Sequence, residues 1–360
     1  MFEFVSAMYE TFLNFTSSYG ISEPVLQSML VAAILAASIY LTLYTGMFAL
    51  ANAGFMAIGA YVGVLLTQQM GLGLLPSLLI AMLVAGLIAI PIGLPVLRLS
   101  DIYLAIATIG FAEVVRIIIL NFDNIVVSVI QYLRANGGEE MVTRINTFAE
   151  TSDLLTIREL STRTRITFEL VEGARGVKNI PVLTETWMLV LFLVIIILFL
   201  TRLHRSRFGR AMAAIRQDEM AAANMGINVV YVKNIVFIMS AMLAASAGVF
   251  EGHLNRIITP DAYGFTRTVD ILAYAVIGGT QTLYGPLVGG MVLEAIPEVL
   301  REFQQYRGVL VGVVMLGVIV YLPNGIVDPQ GIRGLFGSLF SDNNDEGRKE
   351  KATAGGDSND

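Results

Sequence analysis

Long apolar runs, each close to the thickness of a bilayer's hydrocarbon core, alternate along this chain with short polar connections. A helix that crosses a membrane needs about 20 predominantly apolar residues. That rule predicts spans at Val25–Tyr44, Gly46–Thr67, Leu74–Leu97, Ile102–Leu120, Trp187–Thr201 and Val232–Phe250. The second is interrupted by Asn52, Gly54 and Gly59, and the third closes on Pro91 and Pro95. Three shorter runs follow, Val269–Ile277, Val288–Leu300 and Val309–Leu322, each bounded by Gly or Pro. Val269–Ile277 is too short to cross unaided, so it is expected to start from Phe265 or to turn back inside the membrane. The pattern predicts an all-α fold, a polytopic membrane helix bundle with about eight or nine spanning or re-entrant segments.

Composition agrees with the pattern. Of 360 residues, 55% are hydrophobic and 14% charged, against about 25% charged in soluble domains, and the mean hydropathy is +0.70. Such a chain has too little polar surface to coat a water-facing sphere. Cysteine is absent, which excludes disulfides, thiol nucleophiles and thiolate metal sites. The organisation expected is an interfacial segment over 1–24, a first transmembrane half over 25–120, an extracytoplasmic insertion and loop over 121–186, a second transmembrane half over 187–326, and a cytoplasmic tail over 327–360, disordered from about 341. No basic residue precedes Arg98, so the N-terminal segment lacks the positive start of a cleavable signal and is expected to stay on the protein.

Basic residues set the orientation, because short cytoplasmic loops gather Arg and Lys. Arg202, Arg205, Arg207, Arg210 and Arg216 crowd the connection 202–228, which is placed in the cytoplasm. Arg98 and the tail then lie inside as well, and Arg301 and Arg307 are the exceptions outside. The outer insertion mixes Arg158, Glu159, Arg163, Arg165 and Glu169 with scattered apolar residues, enough for a small amphipathic cap.

The stretch 209–228 carries the most information. It is rich in alanine and strongly helix-forming, with charges at Arg210, Arg216, Asp218 and Glu219, small residues at Ala221 and Ala222, and Gly226 where a helix needs a left-handed stop. A helix of this kind across a cytoplasmic loop lets a partner approach closely while its charges set the docking register. A phosphate-binding P-loop needs Gly-Lys before Ser or Thr. None of the four lysines, Lys178, Lys233, Lys349 and Lys351, follows a glycine. The chain therefore has no standard P-loop of its own.

This stretch resembles the coupling loop of ABC importer permeases, whose pattern is Glu-Ala-Ala, three residues, then Gly. The small residues and Gly226 are kept, while an alanine replaces the family's glutamate, with Glu219 two positions earlier. The wider match, from Gly209 and Arg210 through Arg216, Asp218 and Glu219 to Met225-Gly226-Ile227-Asn228, resembles the branched-chain amino acid permeases, M-type subunit, in particular. Further blocks agree: 50–61, where Asn52 stands in place of a common Gly; 103–116; a degraded outer loop at 172–181; 277–286; and 322–326. Residues 124–169 have no counterpart in that pattern. The resemblance implies a permease subunit of the cell membrane, without a nucleotide site or cofactor of its own. Its expected partners are cytoplasmic ATP-binding subunits that use the ATP, a second permease subunit, an outer solute-binding protein and the lipid bilayer, with no nucleic acid. Gly209, Arg210, Arg216, Asp218, Glu219, Ala221, Ala222 and Gly226 would form the coupling loop.

A solute path is sought among Asn52, Gly54, Gly59, Thr108, Gly110, Glu113, Gly278 and Gly279. Glu113 and Arg116 lie three apart and share a helix face, either as part of a path or gate or as a mutually neutralising pair. Asn52 with Gly54 and Gly59 marks either an unwound span or close packing of helices through small residues. Gly278 and Gly279 either line the path or make a plain turn. Asp270 and Glu294 sit in apolar surroundings, where an ion-coupled secondary transporter would need such groups. With two histidines, no cysteine and no hydrolase or metalloprotease motif, catalysis by this chain is not expected.

Overall fold

The structure, a computed structural model, describes residues 22–99, 101–135, 155–160, 163–168 and 173–299, together with helical residues 309, 312–313 and 316–317. Among the described residues, six helices are long and apolar enough to cross a membrane: α1 (Glu23–Tyr44), α2 (Asn52–Met70), α3 (Leu74–Val96), α4 (Asp101–Leu120), α6 (Thr186–Arg205) and α9 (Val229–Leu254). Between α4 and α6 lie α5 (Phe122–Ala135), an antiparallel hairpin of β1 (Leu155–Leu160) and β2 (Arg163–Phe168), and β3 (Val177–Lys178). Two short helices, α7 (Arg207–Gln217) and α8 (Glu219–Asn224), join α6 to α9. After α9 come β4 (Ile257–Ile258), paired with β3, then α10 (Phe265–Gly278) and α11 (Tyr284–Val299).

The core is built from small residues. On α1 the run Ala32–Leu41 is buried on every side; Ala32, Ala33, Ala36 and Ala37 let α9, α11 and α6 close around it. α9 packs against α1, α2 and α3. At its crossing with α2, Gly59 and Gly63 on one helix meet Gly248 and Gly252 on the other. A Cβ on Gly59 would fall 2.1 Å from the Ala245 carbonyl oxygen, and one on Gly248 would fall 2.0 Å from that of Met56. Glycine at these positions brings the two backbones together, the usual device of helix pairs that lipid cannot drive together by hydrophobicity. The outer faces of α3 (Leu79, Leu83, Leu87) and α6 (Leu191, Ile195, Leu198) stay exposed and apolar.

α10 and α11 have 14 and 16 residues, roughly 21 and 24 Å at 1.5 Å per residue, short of a core of about 30 Å. They form a tight antiparallel hairpin. A Cβ on Gly278 would meet the Gly285 carbonyl oxygen at 1.9 Å, and one on Gly289 that of Tyr274 at 2.2 Å. Of the alternatives for Val269–Ile277, the start at Phe265 holds, and the chain reverses at Gly279, where φ is +84°. The run Val309–Leu322 and the segments 1–21 and 318–360 lie outside the described residues, apart from helical residues of that run.

Two expectations need correction. The second span begins at Asn52 rather than Gly46, because Gly46 at φ +82° ends the turn after α1 and residues 47–51 run without helix. Thr108 accepts the Leu50 N–H at 2.8 Å, giving that non-helical backbone a partner. The stretch 209–228 is two helices, since Asp218 leaves helical geometry at φ −158° and caps α8 instead. After α4, α5 starts immediately and carries an apolar stripe through Ile125, Val129 and Tyr132.

Candidate functional site

The connection between α6 and α9 is shaped by three side-chain caps. Ser206 Oγ accepts the Gly209 N–H at 3.1 Å and starts α7. Asp218 Oδ1 accepts the Ala221 N–H at 2.9 Å and starts α8, and Asn228 Oδ1 accepts the Tyr231 N–H at 3.0 Å and starts α9. Each satisfies a donor that a helix start leaves free. Gly209 permits the sharp corner after α6, since a Cβ there would fall 2.3 Å from the Leu203 carbonyl oxygen. Gly226, at φ +84°, ends α8. The Gly226 N–H donates to the Ala223 carbonyl at 3.0 Å and the Ile227 N–H to that of Ala222 at 3.1 Å, the paired bonds of a Schellman stop.

The unit holds onto the bundle at two points. Met212, Ile215 and Ala222 are buried, and α7 runs so close to α1 that a Cβ on Gly46 would lie 3.1 Å from the Arg216 Cα. The Arg216 guanidinium stands 5.9 Å from the centre of the Tyr44 ring; Tyr44 in turn lies 4.2 Å from the His204 ring. At the second point Glu219 Oε2 meets Lys233 Nζ of α9 at 2.5 Å. The outward face carries Arg210, Ala221, Ala223 and Asn224, with Met220 and Met225 exposed by 74% and 86%. Sequence reading missed those two methionines and Lys233. The methionines could have been found as the apolar residues flanking an alanine run in an otherwise charged loop.

The residues named for a solute path fall into separate places. Asn52 is buried and its amide donates to Ser38 Oγ at 2.7 Å and Ser240 Oγ at 3.0 Å; Ser240 Oγ donates to the Ser38 carbonyl at 2.8 Å. This knot ties α1, α2 and α9. Nearby, a Cβ on Gly54 would come within 2.9 Å of the Ala112 Cα, and Thr108 holds the 47–51 segment. Gly59 sits at the α2–α9 crossing, Gly278 and Gly279 in the turn of the α10–α11 hairpin, and Gly110 on an open face of α4. The structure thus brings Asn52, Gly54 and Thr108 together around the start of α2. Asn52→Ala is expected to cost about 1 kcal/mol, read as a lower thermal midpoint with an unchanged KM for uptake. A raised KM at unchanged stability would place Asn52 in the solute path instead.

Glu113 pairs with Arg116, Oε1 to Nη2 at 2.5 Å, and Arg116 Nη1 reaches Asp261 Oδ1 at 2.6 Å. The third partner, far away in sequence, makes this a link between α4 and the turn Pro260–Tyr263. Tyr263 in that turn is buried, its ring edge-on to Tyr61 at 6.3 Å; burial, with Glu251 nearby, pushes its hydroxyl well above the ordinary tyrosine pKa. Arg267 Nη2 binds Glu251 Oε1 at 3.0 Å and Tyr274 donates to Glu294 Oε2 at 3.2 Å. Both links fasten the α10–α11 hairpin, the first to α9 and the second within itself. His253, buried, bridges Thr67 Oγ1 at 2.9 Å and the Val249 carbonyl at 2.8 Å. Between α2, α3 and α4 an open cleft of about 460 Å³ is walled by apolar groups such as Ile58, Val62, Val84, Ile88, Phe111 and Val115. A zwitterion would lose its hydration there without polar partners, so the cleft suits hydrocarbon.

Among the described residues, six helices fit to span a membrane, a short helical hairpin and a small-residue double helix between α6 and α9 define a multi-pass helical membrane protein. The chain belongs to the family described as branched-chain amino acid transport system / permease component, which matches residues 22–319. It is similar to the high-affinity branched-chain amino acid transport system permease protein LivM of Salmonella typhimurium, with 31% identity over 287 residues. LivM of Escherichia coli K12 matches at 30% over 286 residues. Both alignments cover 79% of this chain and 64% of the relative. LivH of Escherichia coli K12 is 33% identical over 125 residues, 34% of this chain and 40% of that protein. No solved structure matches the chain.

Proposed function

We propose that this chain is the membrane-spanning permease subunit of an ABC importer in the cell membrane. It passes branched-chain amino acids, or related small solutes such as urea or amides, while separate cytoplasmic ATP-binding subunits hydrolyse the ATP. A second permease subunit and an extracytoplasmic solute-binding protein complete the assembly. The observation that carries this reading is the α7–α8 unit: capped at each helix start, stopped at Gly226, small-sided, and presenting exposed Met220 and Met225. Methionine adapts its shape to a partner surface, which suits the two exposed methionines to a docking face. Family membership supports the same reading.

The rival mechanism is an ion-coupled carrier using Asp270 or Glu294. In the structure Glu294 is hydrogen-bonded by Tyr274, an arrangement that fits a structural role for that carboxylate. Purification from native membranes separates the two. An associated ATPase whose hydrolysis rises with solute is the expected result. Uptake that collapses with an ionophore while cellular ATP stays high would overturn it.

A further inference from the structure

A subunit that borrows ATP hydrolysis must pass the partner's movement from its docking loop into the helices that line the transport route. The chain between α8 and α9 is a poor conduit: four residues, Met225–Asn228, with a left-handed glycine among them. Through space there is a direct link. Glu219 opens α8, beside the exposed Met220, and its carboxylate lies 2.5 Å from Lys233 Nζ in the second turn of α9. The two ends are unequal. The Lys233 side chain is 10% exposed and that of Glu219 54%, so the cation is anchored in the base of the bundle while the carboxylate stands at the docking face. Lys233 is one of four lysines in a chain that otherwise uses arginine for its positive charge. A lysine stem packs along apolar surface and delivers a single point charge at its end.

We propose that Glu219 and Lys233 are a positioning pair that couples α8 to α9, a role resting on the reading of α7–α8 as the ATPase docking unit. The break at Asp218 gives the pair its leverage. α7 is seated on α1 through Arg216, Tyr44 and Gly46 while also touching α9, and α8 adds a charged link to α9 through Glu219. A change of angle at Asp218 therefore moves the base of α9 relative to that of α1. α9 cannot move alone, because Gly59 and Gly248 lock it to α2 with backbone against backbone. Docking at Met220 is thereby turned into a displacement of two core spans. Because the carboxylate is half exposed, the pair adds little to folding stability, so its value lies in direction.

The test uses the whole complex, purified with its ATP-binding subunits and placed in proteoliposomes, with uptake and ATP hydrolysis measured together. Glu219→Lys and Lys233→Glu each place like charges at the contact. Each is expected to lower solute taken up per ATP by about tenfold, within the range of coupling between sites, with the subunits still assembled. The double variant Glu219→Lys with Lys233→Glu restores the pair in reverse and is expected to recover most of the lost ratio. Glu219→Gln keeps the size, removes the charge, and is expected to lower the ratio without loss of protein. Normal uptake per ATP in Glu219→Gln, or a double variant no better than its parents, would overturn the pair's role. A wild-type complex with no ATP-driven uptake would instead overturn the functional reading beneath it.

Discussion

Replacing Gly248 by leucine is expected to leave little folded protein to purify. A side chain there would start 2.0 Å from the Met56 carbonyl oxygen and 2.9 Å from the Ala60 nitrogen. These are backbone atoms in the middle of α2, so no rotamer change relieves the clash. The helices must separate, and with them go the contacts of Gly59, Gly63 and Gly252 and the Asn52 knot that depends on the same spacing. Overpacking a tight interior costs about 1–3 kcal/mol where side chains can yield, and more where they cannot. Only a cost above that range exhausts a total stability of about 5–15 kcal/mol, and a clash with unyielding backbone is expected to reach it. The readout is the yield of monodisperse protein in detergent and its thermal midpoint. Gly110→Leu is the control: nothing stands within 4 Å of its added carbon, and a leucine at this helical position is expected to be tolerated. A Gly248→Leu protein as stable as the parent would remove the α2–α9 crossing from the account of the fold.

The second large effect is functional rather than structural. Gly226→Asp forces a left-handed φ of +84° on a residue with a side chain, at about 1–2 kcal/mol. It also sets a carboxylate at the negative end of α8, which the helix dipole disfavours. Nothing stands within 4 Å of the new carbon, and the position is exposed, so the bundle is expected to insert and fold. The strain falls on the Schellman stop that directs Ile227 back to α8. Arg216→Glu acts at the other seat, removing the guanidinium from the Tyr44 face, a contact worth about 0.5–1 kcal/mol at exposed sites. Both variants are expected at normal levels in the membrane with uptake reduced by an order of magnitude or more, as a coupling loss of this kind allows. Normal uptake in both would exclude α7–α8 as the handle.

How far the sequence led follows from which forces act locally. Spans were legible because apolar length alone decides them, and α1, α3, α4, α6 and α9 lie within a few residues of their expected positions. The start of α2 was not legible. The segment 47–51 is as apolar as a helix, and Thr108, nearly sixty residues away, reveals how it stays non-helical. The two-helix form of α7–α8 was partly written in Asp218, a natural cap, but the alanines around it favour an unbroken helix. Pairs three residues apart, such as Glu113 with Arg116, can be read from spacing. Asp261 as their third member, or Lys233 opposite Glu219, depends on how distant segments meet and leaves no periodic trace. The glycines proposed for a path illustrate the same limit. Composition marks a glycine as special, but only the neighbouring helix tells whether it makes room for a backbone, as at Gly59, or faces open space, as at Gly110.

The central claim is that the energy for transport enters from outside this chain, through α7 and α8. It is tested most directly by reconstituting the purified polypeptide alone in sealed vesicles and imposing proton and sodium gradients. The expected result is no uphill accumulation of leucine, isoleucine or valine under either gradient, with accumulation appearing once the ATP-binding and permease partners, the solute-binding protein and ATP are supplied. Accumulation against a gradient by the polypeptide alone, driven by ions, would contradict it.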